Sequence, residues 1–467
     1  MNQTMLSVGI DIGTTTTQVI FSRMTIENTA GPFLLPEVKI TAKQVVYRSM
    51  VHFTPLLAAD RVDLAKLQEI IAGEYRRAGI GKEQIDTGAV IITGETARKE
   101  NAEEVLTALA DFAGDFVVAT AGPDLEAVLA GLGAGAGEMS KEMAAKIINV
   151  DIGGGTSNAA VFWEGEVLDA FALDIGARVI RLDRQGQLTY ISERIKPLLH
   201  SLGMDLKVGT VPELAQLEKL AAVFAGIFRA IQDNRRLTPA SQTLFIDHTH
   251  QGIAAERIMF SGGVAEFIYG DQEIRTLSDM LVFGDMGPLL GTAIRNAFAG
   301  CPGKLLESRE KIRATVIGAG SHSVTISGST IAYDETVLPL KNIPIIKLCS
   351  GEEQVSTMAK VIARRSRVYG QEQVAIAFQG PISPSYQQIK DMARGIVDGL
   401  AYSRLPIVVI VENDFAKALG QTLRNLVNQE KPVICIDKIR VKAGEYVDVG
   451  KPIAQVVPVV IKTLIFT

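Results

Sequence analysis

The sequence predicts an α/β protein with two lobes that hold a phosphate-bearing ligand between them and an accessory α/β region behind them. Three observations lead there. Apolar runs of strand length alternate with helical periodicity along the 467 residues, the pattern of sheets covered by helices. The stretch Ile147-Ile148-Asn149-Val150-Asp151-Ile152-Gly153-Gly154-Gly155-Thr156-Ser157-Asn158 runs a buried-type strand into an acid, three glycines and hydroxyl side chains. Leu6-Ser7-Val8-Gly9-Ile10-Asp11-Ile12-Gly13-Thr14-Thr15-Thr16-Thr17 repeats that plan. In each, a strand carries a carboxylate to its end, and residues without bulk then expose backbone N–H groups to an anion, for which phosphate is the natural choice. The two aspartates are 151 − 11 = 140 positions apart, about one domain length. Two lobes with one phosphate loop each imply a nucleotide in a cleft.

Composition narrows the class. Hydrophobic residues make up 47%, charged residues 21%, and the formal net charge is −5, so the chain can bury a large core and has no polybasic surface for nucleic acid. No apolar run reaches the eighteen or so residues of a membrane helix; the greasiest stretch, Val456 to Phe466, is broken by Pro458 and Lys462. The approach from Met1 to Asp11 is too short for a signal peptide, and the expected location is the cytoplasm. Cys301, Cys349 and Cys435 are odd in number and far apart, which fits reduced thiols rather than a disulfide framework or a zinc site.

In chain order, Val19 to Arg23 reads as a return strand, making 6–23 a hairpin around the first loop. The stretch 25–55, punctuated by Pro32, Pro36 and Pro55, is mixed and carries little readable chemistry. Asp63 to Ala78 has helical spacing, Ala89 to Ile92 reads as a buried strand ending at Thr93, Asn101 to Phe112 as a helix, and Phe116 to Ala119 as a strand. Pro123 suits the first turn of a helix. Gly131-Leu132-Gly133-Ala134-Gly135-Ala136-Gly137 follows a helix rather than a strand and misses the G-x-G-x-x-G spacing, so it reads as a helix stop and flexible connector. A Walker-type G-x-x-x-x-G-K-[ST] is absent. Ala159 to Trp163 repeats the return strand, with Trp163 read as a core anchor, and Val167 to Leu173 follows it. Glu213 to Ile231 is a long helix, and Ile258 to Ser261 is a strand that delivers Gly262 and Gly263, where backbone can approach a flat ring. Asp247-His248-Thr249-His250 reads as an exposed polar loop, since no further ligand has metal spacing with it. From about Ser329, strands at Val374, Ile407 and Val433 alternate with helices, and Val441 to Gly450 reads as a terminal hairpin.

Asp11-Ile12-Gly13-Thr14-Thr15, Asp151 to Thr156 and Phe260-Ser261-Gly262-Gly263-Val264 resemble, in order, the phosphate-1, phosphate-2 and adenosine motifs of the actin-like (ribonuclease H-like) ATPase superfamily. Within it, the wording of Ser7 to Ser22, Ile92 to Ala97, Gly114 to Ala119 and Val316 to Gly320 is similar to that of ethanolamine ammonia-lyase reactivating factors. The resemblance implies lobes at 1–146 and 147–328 and an accessory region at 329–467. It implies ATP and Mg²⁺ as cofactors, with Asp11 and Asp151 holding the metal through water and one of them orienting the attacking water. Gly13, Thr14, Thr15, Gly153, Gly154, Gly155 and Thr156 would cradle phosphates, and Gly262 and Gly263 would lie against the nucleoside. The implied activity is a slow Mg²⁺-dependent ATPase that expels damaged cobalamin from the adenosylcobalamin-dependent ethanolamine ammonia-lyase, its partner. The lysine or extra acid that many relatives place near the γ-phosphate has no counterpart in these motifs. No Asp-x-His-x-x-Gly cobalamin motif occurs among the five histidines, so the expectation is deformation of the lyase rather than capture of its cofactor. A small-molecule kinase and an actin-like scaffold are the alternatives of the same fold. Homo-oligomerisation and packing inside a bacterial microcompartment are left open.

Overall fold

The computed structural model describes residues 3–13, 15–29, 38–58, 61–93, 101–110, 118–120, 122–281, 283–301, 303–322, 325–327, 331–370, 372–427, 431–442, 445–452 and 456–463. The expected elements at 94–97, 111–112 and 116–117 lie outside these.

The first sheet is built on a hairpin. Strand β1 (Gln3–Ile12) pairs antiparallel with β2 (Thr16–Asn28), and β3 (Val38–Arg48) continues the order on the far side of β2. Thus 25–55 contains a long strand. Its first residues alternate, Val38, Ile40 and Ala42 with Lys39, Thr41 and Lys43, as those of a strand do, and its side chains from Thr41 on are mostly exposed at the sheet edge. Helix α1 (Leu64–Ala78) starts where Asp63 accepts the Lys66 N–H at 3.2 Å and stops at Gly79, φ +67°. Strand β4 (Thr87–Ile92) then lies parallel to β1; helix α2 (Ala102–Ala110) leads to β5 (Val118–Thr120), parallel to β4. The order is β3-β2-β1-β4-β5.

Helix α3 (Pro123–Ala134) precedes the second sheet, which repeats the plan: β6 (Ile147–Ile152), β7 (Ser157–Trp163) and β8 (Glu166–Leu173) run antiparallel, and β9 (Arg257–Ser261) lies parallel to β6. The duplication extends to single residues. Asp11 faces Gln18 and Ile12 faces Thr17 across the first hairpin; Asp151 faces Asn158 and Ile152 faces Ser157 across the second. Helices α4 (Leu214–Gln232) and α5 (Gly287–Phe298) cover this sheet, with Phe228 and Phe298 each meeting Phe260 at ring separations of 6.0 Å. Trp163 is only half-buried; the adjacent Phe162 is the core anchor.

Glycines join the two sheets. Helix α3 lies on the second sheet, and α6 (Ala314–His322) lies on the first, so α6 packs on the lobe distant from it in sequence. Where they cross, a Cβ on Gly133 would lie 1.9 Å from the Ala314 carbonyl oxygen, and one on Gly318 would lie 1.9 Å from that of Leu129. Gly9 of β1 meets α6 as closely, 2.5 Å from the Val316 oxygen, and the Ser7 hydroxyl donates to the Gly320 carbonyl. The run 131–137 is therefore less a flexible connector than a packed seam. Gly131 and Gly133 sit inside α3, and Gly135, φ +91°, does stop it.

The third sheet has four parallel strands, β10 (Leu340–Lys347), β11 (Ala375–Phe378), β12 (Ile407–Val411) and β13 (Val433–Asp437). The connecting helices α7 (Val355–Ser366), α8 (Tyr386–Gly399) and α9 (Ala416–Leu426) pack side by side. The expected terminal hairpin at 441–450 is replaced by β14 (Glu445–Val449), inserted between β10 and β15 (Pro458–Thr463). Val447 and Val449 point to one face of the sheet and are fully buried in its core. Thr325–Ile326, ahead of residue 329, already pairs with β15.

Gly318→Ala should lower the thermal midpoint by the equivalent of about 2–3 kcal/mol or more, because the methyl group meets backbone that cannot move aside. Gly226→Ala, in α4 with open space at its Cβ position, should raise it by about 0.5–1 kcal/mol. Differential scanning calorimetry of both variants checks the pair.

Candidate functional site

Both hairpin loops open into one cleft of about 480 Å³ between the lobes, a size common for small-molecule sites. Each loop closes by the same bond: the Gly13 N–H donates to the Thr16 carbonyl at 2.9 Å, and the Gly153 N–H to that of Thr156 at 3.0 Å. The following hydroxyl anchors each hairpin, Thr17 against Thr54 at 3.1 Å and Ser157 to the Ile175 carbonyl at 2.6 Å. Thr54 also donates to the Gly13 carbonyl at 2.8 Å, and its N–H reaches the Thr15 carbonyl at 2.9 Å. The loop conformations are thus set before any ligand arrives.

Asp11 and Asp151 lie near the ends of the central strands β1 and β6, one in each sheet, and both line the cleft. In each lobe the adjacent parallel strand supplies a hydroxyl: Thr93 Oγ1 donates to Asp11 Oδ1 at 3.1 Å, and Ser261 Oγ to Asp151 Oδ1 at 2.5 Å. Asn149 Nδ2 in turn donates to Ser261 Oγ at 3.0 Å, and the Thr315 hydroxyl also reaches Asp151. Asp151 is buried and Asp11 opens only toward the cleft. Burial pushes the Asp11 carboxyl up to about 7, with Thr93 opposing and the charge of Asp151 adding. Burial likewise pushes Asp151 up to about 6 against its two hydroxyl donors. Carboxylates held in this way await a cation.

The remaining expected residues divide. Thr15 Oγ1 is buried with no partner, and a Cβ on Gly154 would stand 3.1 Å from it, so the loops of the two lobes nearly touch there. Gly155 faces open space and Gly153 meets only the Thr156 carbonyl oxygen, at an ordinary 3.7 Å; none of Gly153, Gly154 and Gly155 has φ in the left-handed region, so their value is room rather than turn geometry. Thr156 and Gly13 also line the cleft, whereas Thr14 lies outside the described residues. Gly262 and Gly263 both line it, but for different reasons. Gly262, φ +83°, is required because a Cβ would lie 2.4 Å from the Ile152 carbonyl oxygen; Gly263 faces open space and can approach a ligand. An orphaned hydroxyl, paired buried acids and glycine walls fit phosphates with a hydrated divalent cation.

Sequence reasoning missed several residues of this site. Thr93 and Ser261 were detectable as hydroxyls just beyond or at the end of parallel strands. Arg178 and Asp285, which meet at 3.5 Å in the cleft, come from the turn after β8 and the loop before α5, and nothing in their local sequence joins them. His52, isolated in sequence, pairs with the buried Glu74 at 2.7 Å, which also accepts from Tyr47 at 2.6 Å and from Arg77. In the 247–250 loop, His248 meets Asp124 at 3.0 Å, while His250 is not an exposed group but packs on Phe171 and Phe245.

The sequence profile of the family described as "Ethanolamine utilisation protein EutA" matches residues 3–467. The chain belongs to the EutA family. Its similarity to the EutA called ethanolamine ammonia-lyase reactivase in Escherichia coli K12 is 36% identity over 99% of this chain and 98% of that one. The protein of the same description from Salmonella typhimurium LT2 is 35% identical over the same shares. EutA membership spans the whole chain, including 184–255 and 350–400, where no motif stands out. Among solved structures, a Ppx/GppA family member from Aquifex aeolicus is similar over 68% of this chain and 97% of its own, at 14% identity and TM-score 0.40. The ethanolamine utilization protein EutJ from Carboxydothermus hydrogenoformans covers 68% and 89%, at 16% identity and TM-score 0.32.

The raised carboxyls give a pH signature. A folded value above the unfolded one penalises the charged form, so the metal-free protein loses stability as pH rises from about 4 to about 7. Asp11→Asn should therefore melt above the parent at pH 8 without divalent cation, with the gap narrowing at pH 5. Thermal melts across that range check the sign.

Proposed function

We propose that this chain is an ATP-dependent reactivating factor for the adenosylcobalamin-dependent ethanolamine ammonia-lyase. It releases damaged cobalamin so that intact coenzyme can rebind. The observation that carries the reading is the pair of identically closed loops meeting at two buried carboxylates, in a chain similar end to end to proteins named as reactivases of that lyase. Asp11 and Asp151 hold Mg²⁺ through its water shell, and Asp151, fixed by Ser261 and Thr315, keeps one orientation while doing so. Mg²⁺, when bound, neutralises charge on the phosphate oxygens. Thr15 and the N–H groups of the Gly153–Thr156 loop bind those oxygens, and Gly263 lies against the nucleoside. Hydrolysis is slow, as suits a switch. The loops belong to different lobes, so loss of the terminal phosphate removes a link across the cleft and alters lobe closure.

Nucleotide and lyase binding are then coupled, and reciprocally, by about 1–3 kcal/mol. The chain works in the cytoplasm or inside a microcompartment; no described helix is long and apolar enough to cross a membrane.

Asp151→Asn should keep the parental fold and lower Mg²⁺-dependent phosphate release by at least about 10- to 100-fold, the range for disturbing a metal's outer shell. The same variant should fail to restore cobalamin-inactivated lyase given ATP, Mg²⁺ and free coenzyme. Undiminished phosphate release from a well-folded variant would overturn the assignment of Asp151, and an inactive lyase that stays inactive with the parent chain would overturn the reactivase reading.

A further inference from the structure

The cleft presents an electrostatic problem that the two loops do not solve. Among the described residues lining it, the acids are Asp11, Glu126, Asp151, Glu266 and Asp285, and Arg178 is the single lysine or arginine. A polyphosphate entering this acidic space gains from every fixed cation. The side chain of Arg178 is positioned for it. The Ala177 N–H donates to the Gly153 carbonyl at 3.0 Å and the Arg178 N–H to that of Gly154 at 2.6 Å, so the turn carrying Arg178 lies directly on the second phosphate loop. Gly176 permits this closeness, since a Cβ there would stand 2.5 Å from the Gly154 oxygen. The stem of Arg178 passes 3.5 Å from the Cβ position of Gly154, the point where the loops of the two lobes approach.

Its present partner can release it. Arg178 Nε is 3.5 Å from Asp285 Oδ2, long for a charge-assisted hydrogen bond. Asp285 Oδ1 meanwhile accepts the Gly287 N–H at 2.9 Å, at the start of α5, and Arg181 supplies a second positive charge near it. Asp285 therefore keeps partners when Arg178 leaves. With the nucleoside at Gly263, a chain of phosphates runs toward the meeting of the two loops and ends beside Gly154.

Resting on the nucleotide reading of the cleft, we propose that Arg178 is the sensor of the terminal phosphate: it exchanges Asp285 for the phosphate oxygens when a triphosphate binds and returns to Asp285 when that phosphate is gone. Arg178 then supplies the fixed positive charge that the phosphate motifs lack. Because Asp285, just before α5, accepts the Gly287 N–H of that helix's first turn, the exchange is also felt by the helix that covers the second sheet.

Titration calorimetry with ATP and with ADP tests this on the full chain. Arg178→Ala should weaken ATP about 10- to 100-fold, the range for losing a charge-assisted contact, and ADP by no more than about threefold. Arg178→Lys, which keeps the charge without the fork, should fall between. Asp285→Asn should tighten ATP several-fold by freeing Arg178, and that gain should vanish in the double variant with Arg178→Ala. Equal losses of ATP and ADP, no loss in an Arg178→Ala variant that melts like the parent, or weaker ATP binding by Asp285→Asn would overturn the sensor. Failure of the parent chain to bind either nucleotide would overturn the reading of the cleft itself, and the sensor with it.

Discussion

Two carboxylates in one cleft, Asp151 buried and Asp11 open only in part, set the terms for the rest of the molecule. Burial raises Asp11 to about 7 and Asp151 to about 6, so the protein without a cation holds its own site in a costly state. Such a site persists only if the surroundings leave the acids no route of escape. Central strands, each paired on both sides, provide that rigidity, and a hydroxyl from the neighbouring strand holds each carboxylate in orientation.

The same constraint explains why the lobes are joined at backbone distance. A cleft whose walls must bring Thr15 and Gly154 within contact cannot be built on lobes that slide freely past one another. Gly133 and Gly318 let α3 and α6 cross with carbonyl oxygens where a methyl group would otherwise stand, and Gly9 brings β1 against α6. A crossing this tight leaves no room for a methyl group between the two helices.

Duplication gives the two lobes equal plans but unequal surroundings. Register, loop closure and the hydroxyl beside each acid recur in both. Arg178 and Asp285 do not: they belong to the second lobe alone, after the repeated hairpin has ended. The cleft is accordingly symmetric at its two loops and their acids and asymmetric at Arg178 and Asp285. The third sheet stands apart from this chemistry, with its own apolar core on each face of its parallel strands.

By itself the sequence determined the local devices. The strand-to-acid-to-glycine order at Asp11 and Asp151, the return strands, the parallel strand ending at Ser261 and the caps of helices such as α1 are governed by near neighbours, whose periodicity and chemistry are written in consecutive residues. Only the tertiary structure decided the rest. The edge strand β3 is mostly exposed, so burial does not fix its place and pairing with β2 does. The glycines at 131 and 133 look like a loop until Phe162 and Ala314 are set against them. Gly262 is needed by the Ile152 carbonyl rather than by a ligand. The terminal strand β14 enters the middle of its sheet, paired with β10 on one edge and β15 on the other, which its local sequence does not announce. Arg178 and Asp285 are 285 − 178 = 107 positions apart, and Thr93 and Asp11 are 93 − 11 = 82. Contacts of that range arise from how sheets stack and helices cross, and no local pattern encodes which distant side chain will complete a site.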